Sequence, residues 1–175
     1  MRIELRRGIT LHPGTFTAVI APQVLILAAL NGNPDLQRFL FLFVCGNYSR
    51  LLSGIGRTSA NFEVRRPFTA DQLLTVLNEA GHTVVFVEHD PTLFDGGERL
   101  LAPAAAALRD KGREALVILY APAMDRSFAA LARQADRLIE LLPPGEMGQH
   151  PRPRDTRSHR RGGPSSRAQQ TLEVS

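Results

Sequence analysis

The chain has 175 residues, 43% of them apolar, with one Cys, no Trp and a formal net charge of +4, which gives room for one domain with a sizeable core. The lone Cys45 rules out an internal disulfide framework and suits a reducing compartment. No apolar run reaches the roughly 18 residues of a membrane span, so no membrane partner is expected.

Ala18–Leu30 follows a basic N-terminus and has the outline of a signal core. Pro22 interrupts it and no small-x-small cleavage site follows, so it reads as protein core and the expected compartment is the cytoplasm. The charge excess has one location. Gln149–Ser175 holds six arginines against Asp155 and Glu173, leaving 15 basic and 15 acidic residues of the chain's 21 and 17 in the neutral remainder. From about Pro143 the chain is rich in Pro, Gly, Ser, Arg and Gln without hydrophobic periodicity. Such a segment buries too little apolar area to offset its ordering entropy, so 143–175 is expected to be a disordered tail behind a domain spanning 1–142.

Along the body, His12-Pro13-Gly14 introduces Thr15–Ala21 (TFTAVIA), a β-branched, apolar run that predicts a buried strand. Gln23–Leu30 is apolar nearly all round and stops at Asn31-Gly32-Asn33-Pro34. Phe39–Cys45 predicts a second buried strand, Asn47–Ile55 a short helix and Asn61–Arg65 a short strand. Thr69 caps a helix through Asn78, with Gln72 completing a capping box and Gly81 ending the element. Thr83–Glu88 predicts a third long strand, closed by His89-Asp90-Pro91; an alanine-rich helix follows within Gly96–Gly112. Ala115–Tyr120 is another buried strand, Ser127–Ala135 a helix, and Arg137–Leu142 closes the domain. Continuous apolar strands separated by helices predict an α/β domain with a mainly parallel sheet covered on both faces.

The order of these pieces resembles the ATPase core of the RecA/RadA/KaiC superfamily, from about Leu11 to Leu142. "LHPGTFTAVIA" is similar to the family's approach to its first strand, and "TVVFVEHDPTLFDG" to its Walker B strand. "ALVILYAP" stands in the place of its sensor strand, and "ADRLIEL" is similar to its closing segment. The resemblance implies a RecA-like three-layer α/β/α fold. It also implies relatives that assemble through their cores in DNA recombination, and hence a RecA/RadA-like ATPase or a second copy as partner.

The departures are as informative. Where the family carries G-x-x-x-x-G-K-[ST], this chain reads Pro22-Gln23-Val24-Leu25-Ile26-Leu27, with no cation and no hydroxyl for a phosphate or its magnesium. Its only lysine, Lys111, lies far along the chain. An ordinary P-loop hydrolase is thereby excluded, and no nucleotide or other cofactor is expected. Gly46-Asn47, after the second strand, also lacks the family's acidic residue.

Open α/β sheets place their sites at strand C-termini. Glu88 and Asp90 there are either a degenerate Walker B pair or a solvated strand end. Gly46, Asn47 and Tyr120 stand at neighbouring strand ends and are a candidate ligand or partner surface. His12, His82, His89, His150 and His159 show no metal-ligand spacing, so no metal is expected. Ser49, Ser53 and Ser59 lack a nucleophile elbow, so no catalytic residue is assigned. Cys45 reads as a buried small hydrophobe.

Arg57, Arg65 and Arg66 flank the short strand and are either a phosphate or partner contact or ordinary surface charge. Arg152, Arg154, Arg157, Arg160 and Arg161 are dense enough for salt-dependent, sequence-independent attraction to nucleic acid, or are a solubilising extension. Three functions remain open: a non-catalytic accessory protein acting by protein and weak DNA binding, a small α/β enzyme or ligand-binding domain, and a vestigial domain.

Overall fold

Strands without polar alternation must be covered on both faces, and the chain satisfies this with helices on one side and a helix plus hairpin on the other. The computed structural model describes residues 3–56 and 59–142. Arg57 and the tail arginines Arg152, Arg154, Arg157, Arg160 and Arg161 lie outside the described residues, as does the expectation of a disordered tail.

The elements in chain order are β1 (Ile3–Arg6), β2 (Ile9–Leu11), β3 (Thr15–Ile20), α1 (Gln23–Asn31), β4 (Phe41–Val44), β5 (Phe62–Arg65), α2 (Ala70–Glu79), β6 (Val84–Glu88), α3 (Leu101–Gly112), β7 (Leu116–Ala121), α4 (Arg126–Ala132) and β8 (Arg137–Glu140). Six strands form one sheet in the order β5-β4-β6-β7-β3-β8, and every pairing is parallel. The architecture is a three-layer α/β/α sandwich.

Alternation along each strand sends side chains to two cores. Phe16, Ala18, Val85, Val87, Val117 and Leu119 point to the layer of α2, α3 and α4. Val19, Phe43, Phe86, Ile118 and Tyr120 point to the layer of α1 and the β1–β2 hairpin. An aromatic row crosses this second face. Phe62 stacks on Phe41 at 5.1 Å, Phe43 on Phe86 at 5.2 Å, and Phe86 meets Tyr120 at 5.9 Å between centroids. The sheet closes where the Leu141 N–H donates to the Ile20 carbonyl at 2.8 Å.

Two local outcomes differ from the sequence reading. Ile3–Leu11 forms an antiparallel hairpin that went unassigned, turned through Gly8 at φ +86°. Its alternating Ile3 and Leu5, with Leu11 opposite Ile3, is the signal. Asn47–Ile55 is not a helix; it holds a single 3₁₀ turn at Leu52–Gly54. Its amides are claimed by side chains instead, as the Leu52 N–H donates to the Ser49 hydroxyl oxygen at 3.0 Å and the Arg50 N–H to Glu88 at 3.3 Å. The alanine-rich helix falls within the expected Gly96–Gly112 span, at Leu101–Gly112, after a separate turn at Glu98–Leu100.

The α2 cap forms as the sequence predicts. The Gln72 N–H donates to the Thr69 hydroxyl oxygen at 3.2 Å, and the Gln72 side chain accepts from the Phe68 N–H at 2.7 Å, one residue before the cap.

Gly112 is where α3 meets the sheet most closely: a Cβ there would stand 2.8 Å from Phe16 Cβ and 2.9 Å from the Phe16 backbone nitrogen. Backbone cannot yield as a flexible side-chain end can. Gly112→Ala is therefore expected to destabilise the fold by about 1–3 kcal/mol, read as a lower urea midpoint with an unchanged slope. A midpoint equal to the parent's would show that α3 does not press on β3.

Candidate functional site

Because all six strands run the same way, their C-termini open at one crest, and a cleft lies there at the tips of β4 and β6. This cleft, one of those at the crest, measures about 390 Å³, and its walls include Asn47, Arg50, Phe68, Glu88, Asp90 and Pro122. A more enclosed apolar cavity of about 140 Å³ sits near the strand N-termini, around Phe41 and Phe62, away from these polar groups.

Glu88 ends β6 on the face of Phe86, toward α1. The Ser49 hydroxyl donates to one of its carboxylate oxygens and the Arg50 N–H to the other. Burial holds its pKa above the ordinary value of 4.5, against the pull of these bonds from Ser49, Arg50 and Leu51, with the charge of Asp90 adding to the rise. Both oxygens thus address the 49–51 loop, and the carboxylate pins that loop in place of a helix.

Asp90 folds the other way. It caps the turn Pro91–Phe94 through the Thr92 N–H at 3.0 Å and hydroxyl at 2.6 Å. Its second oxygen covers Gly46, where a Cβ would meet it at 1.9 Å, so any larger residue there would push the Asp90 side chain aside. Asn47 lines the cleft and is exposed.

Tyr120 does not belong to this surface. It is buried, and its hydroxyl donates to the Ala21 carbonyl at 3.2 Å; burial pushes its pKa up to about 12. Tyr120 lies opposite Glu88 in register and on the same face, but its ring packs against Phe86 under α1 rather than opening to the crest. Cys45 is buried beside Glu88, and desolvation raises its thiol pKa, so it is a packed hydrophobe as expected. Arg66 reaches that thiol, whereas Arg65 is bound to Glu63. Lys111 is at the opposite end of the sheet, bonded to the Ala80 carbonyl at 2.7 Å.

A network that spacing alone did not reveal joins β6 to α4. The His89 side chain is only 3% exposed, and its Nε2 lies 2.9 Å from Asp125 Oδ2 and 3.1 Å from Ser127 Oγ. Asp125 caps α4 through the Phe128 N–H at 2.7 Å and also accepts from the Ser127 hydroxyl. Desolvation lowers the His89 pKa against the pull of Asp125, and Nε2 is the ring nitrogen that faces both Asp125 and Ser127. Burial alone would raise the Asp125 pKa, but the bonds from Phe128, Ser127 and His89 prevail and hold it low.

Ser, His and Asp are the residue types of a hydrolase triad, but a triad needs hydroxyl and carboxylate on opposite ring nitrogens. Here both address Nε2, which makes the group a helix cap rather than a proton relay. The signal was present as Asp125 two residues before Ser127, the pattern of a capping residue, and His89 became its partner only in three dimensions.

The loop that a phosphate requires is absent from the first strand's exit. Only Ala21 and Pro22 separate β3 from α1, and the Pro22 carbonyl accepts from Leu25 at 3.0 Å and Ile26 at 3.4 Å. The Gln23 amide donates to the Arg50 carbonyl at 2.8 Å, tying this start of α1 to the loop that Glu88 holds. Among the described residues no group of three His, Cys, Asp or Glu side chains has the geometry to hold a metal ion, and no helix is long and apolar enough to cross a membrane.

No known family profile matches the chain. It is similar to an uncharacterized protein of Archaeoglobus fulgidus, 41% identical over 127 residues. The match covers 72% of this chain and 64% of the relative, so the chain spans less than two-thirds of that protein's length.

A carboxylate whose pKa is raised in the fold costs stability once ionised. The cost is relieved as pH falls through the raised value and is gone below the ordinary 4.5. Glu88→Gln retains an acceptor for Arg50 and a partner for Ser49 without the charge. It is expected to raise Tm by a few degrees at pH 7.5, with the gain shrinking toward pH 4. A variant whose Tm is unchanged or lower at pH 7.5 would show that the ionised carboxylate, not merely its shape, holds the loop.

Proposed function

We propose that this chain is a non-catalytic RecA/KaiC-like accessory protein that acts by binding a partner protein, with its Arg-rich tail adding weak attraction to nucleic acid. The observation that carries the reading is the two-residue exit from β3. A triphosphate needs a loop of backbone N–H groups, a lysine and a hydroxyl, whereas this exit has Pro22 without an N–H and apolar Val24, Leu25 and Ile26 behind it.

Two further features support it. β7, at the sensor position of the resemblance, lies between β3 and the Walker B-like strand β6 in the sheet. Glu88, at the Walker B-like position, spends its oxygens on the Ser49–Leu51 loop, so the acid that would serve magnesium serves the scaffold. What remains at the crest is suited to association: Val24, Tyr48, Phe68, Met124 and Leu142 are exposed large apolar side chains at or beside strand C-terminal ends.

Magnesium–ATP is expected to leave the Tm of the full chain unchanged, with no phosphate release. Saturable ATP binding at micromolar affinity that Glu88→Gln abolishes would overturn the reading. For the tail, about five neutralised phosphates imply a log–log salt slope of roughly −4 to −5 for duplex DNA binding, without sequence preference. Replacing Arg152, Arg154, Arg157, Arg160 and Arg161 by Gln in the full chain is expected to flatten that slope. Unchanged DNA affinity in this variant would move the contact to the body.

A further inference from the structure

The cleft at the β4 and β6 tips continues past Pro91 into a second hollow of about 220 Å³ between the Pro91–Phe94 turn and the start of α4. Together they make one groove across the tip of β6. Its β4–β5 end is apolar and aromatic: Tyr48 is 95% exposed and Phe68 is 63% exposed, with Pro67 beside them. Rings left this open have no packing partner within the described fold. Its α4 end is acidic. Over the whole groove, Glu88, Asp90, Asp95, Glu98 and Asp125 face only Arg50 and Arg126.

Aromatic surface flanked by carboxylates is the chemistry that recognises proline beside arginine. Proline rings pack on exposed aromatic faces at low entropic cost, and guanidinium groups pair with carboxylates. The chain carries that chemistry in His150-Pro151-Arg152-Pro153-Arg154-Asp155, and from Gln149 onward it has a net excess of four positive charges.

Reach is sufficient. The described chain leaves the sheet after β8, at Leu142, on the crest itself. The aromatic end is the farthest point, since β8 is four strand spacings from β4 and five from β5 in the sheet order, roughly 19–24 Å at about 4.8 Å each. Residues 143–150 span up to about 26 Å at roughly 3.3 Å per residue.

We propose that the groove is the docking site of the chain's own His150–Asp155 segment. Pro151 and Pro153 lie on Tyr48 and Phe68, while Arg152 and Arg154 face Asp90 and the Asp95–Glu98–Asp125 wall. This inference does not rest on the family resemblance. It gives the arginines an intramolecular partner that phosphate would have to displace.

The test is paramagnetic relaxation in the full chain. Cys45 is buried, so a nitroxide on Ser158→Cys labels the tail selectively. Amide signals of Tyr48, Phe68, Asp90 and Thr92 are expected to lose most of their intensity, and those of Gly14 and Gly81, at the other end of the sheet, to keep theirs. Arg152→Gln with Arg154→Gln, or Tyr48→Ser with Phe68→Ser at these exposed positions, is expected to restore the crest signals.

Broadening confined to Glu140–Leu142, or unchanged in both double variants, would overturn the proposal. A sample mixing isotope-labelled, spin-free chain with unlabelled, spin-labelled chain is expected to show no crest broadening. Its appearance there would assign the contact to a second copy and overturn the intramolecular assignment. Duplex DNA binding through the tail with crest signals unaffected by the nitroxide would leave the tail a nucleic-acid arm alone and overturn it equally.

Discussion

Six strands running in one direction impose the constraint on which the rest of the molecule depends. A parallel sheet cannot be joined by tight hairpins, so each crossover must travel back over one face, and both faces end up covered. The same geometry sends every strand exit to one crest. The positions after β3, β4, β5, β6 and β7 therefore become neighbours, although they are spread through a hundred residues of sequence. Whatever this protein binds at that end, it binds with loops that the sheet holds rigidly.

At the crest, polar groups that would suit chemistry are largely spent on structure. Glu88 holds the loop after β4, Asp90 caps the next turn while leaning over Gly46, and Asp125 caps α4 while fixing His89. Each bond satisfies a group that would otherwise be costly to leave unpaired near the core. The raised pKa of Glu88 shows that this is not free: an ionised carboxylate is kept partly desolvated in order to order a loop that has no helix of its own. The unsatisfied character of the crest is apolar instead, in Tyr48 and Phe68, and this shifts the functional reading from catalysis to association.

Much of the architecture was legible because the strands are buried on both faces. TFTAVI, FLFV, VVFVE and LVILYA have no polar alternation and read as central parallel strands, which is what they are. The Thr69 cap was legible for the same local reason, since cap and partner are three residues apart. The stretch after β4 misled because its apolar spacing suits a helix. Ser49 and Glu88, 39 residues apart, compete for its amides, and no local pattern encodes that. Tyr120 misled in another way: its position at a strand end was right, but its ring packs on Phe86 and its hydroxyl bonds the Ala21 carbonyl, 99 residues away in sequence.

The sequence by itself determined the fold class and the lack of a phosphate loop, because both are written in consecutive residues: runs of apolar strand formers, and Pro22 where glycines would be needed. Only the tertiary structure decided what Glu88, Asp90, His89 and Tyr120 do. Glu88, His89 and Tyr120 bond partners distant in sequence, in the loop after β4, at the start of α4 and at the exit of β3, while Asp90 caps its own turn and closes over Gly46. A side chain's chemistry is set by what surrounds it, and in a parallel sheet those surroundings come from strands distant in sequence.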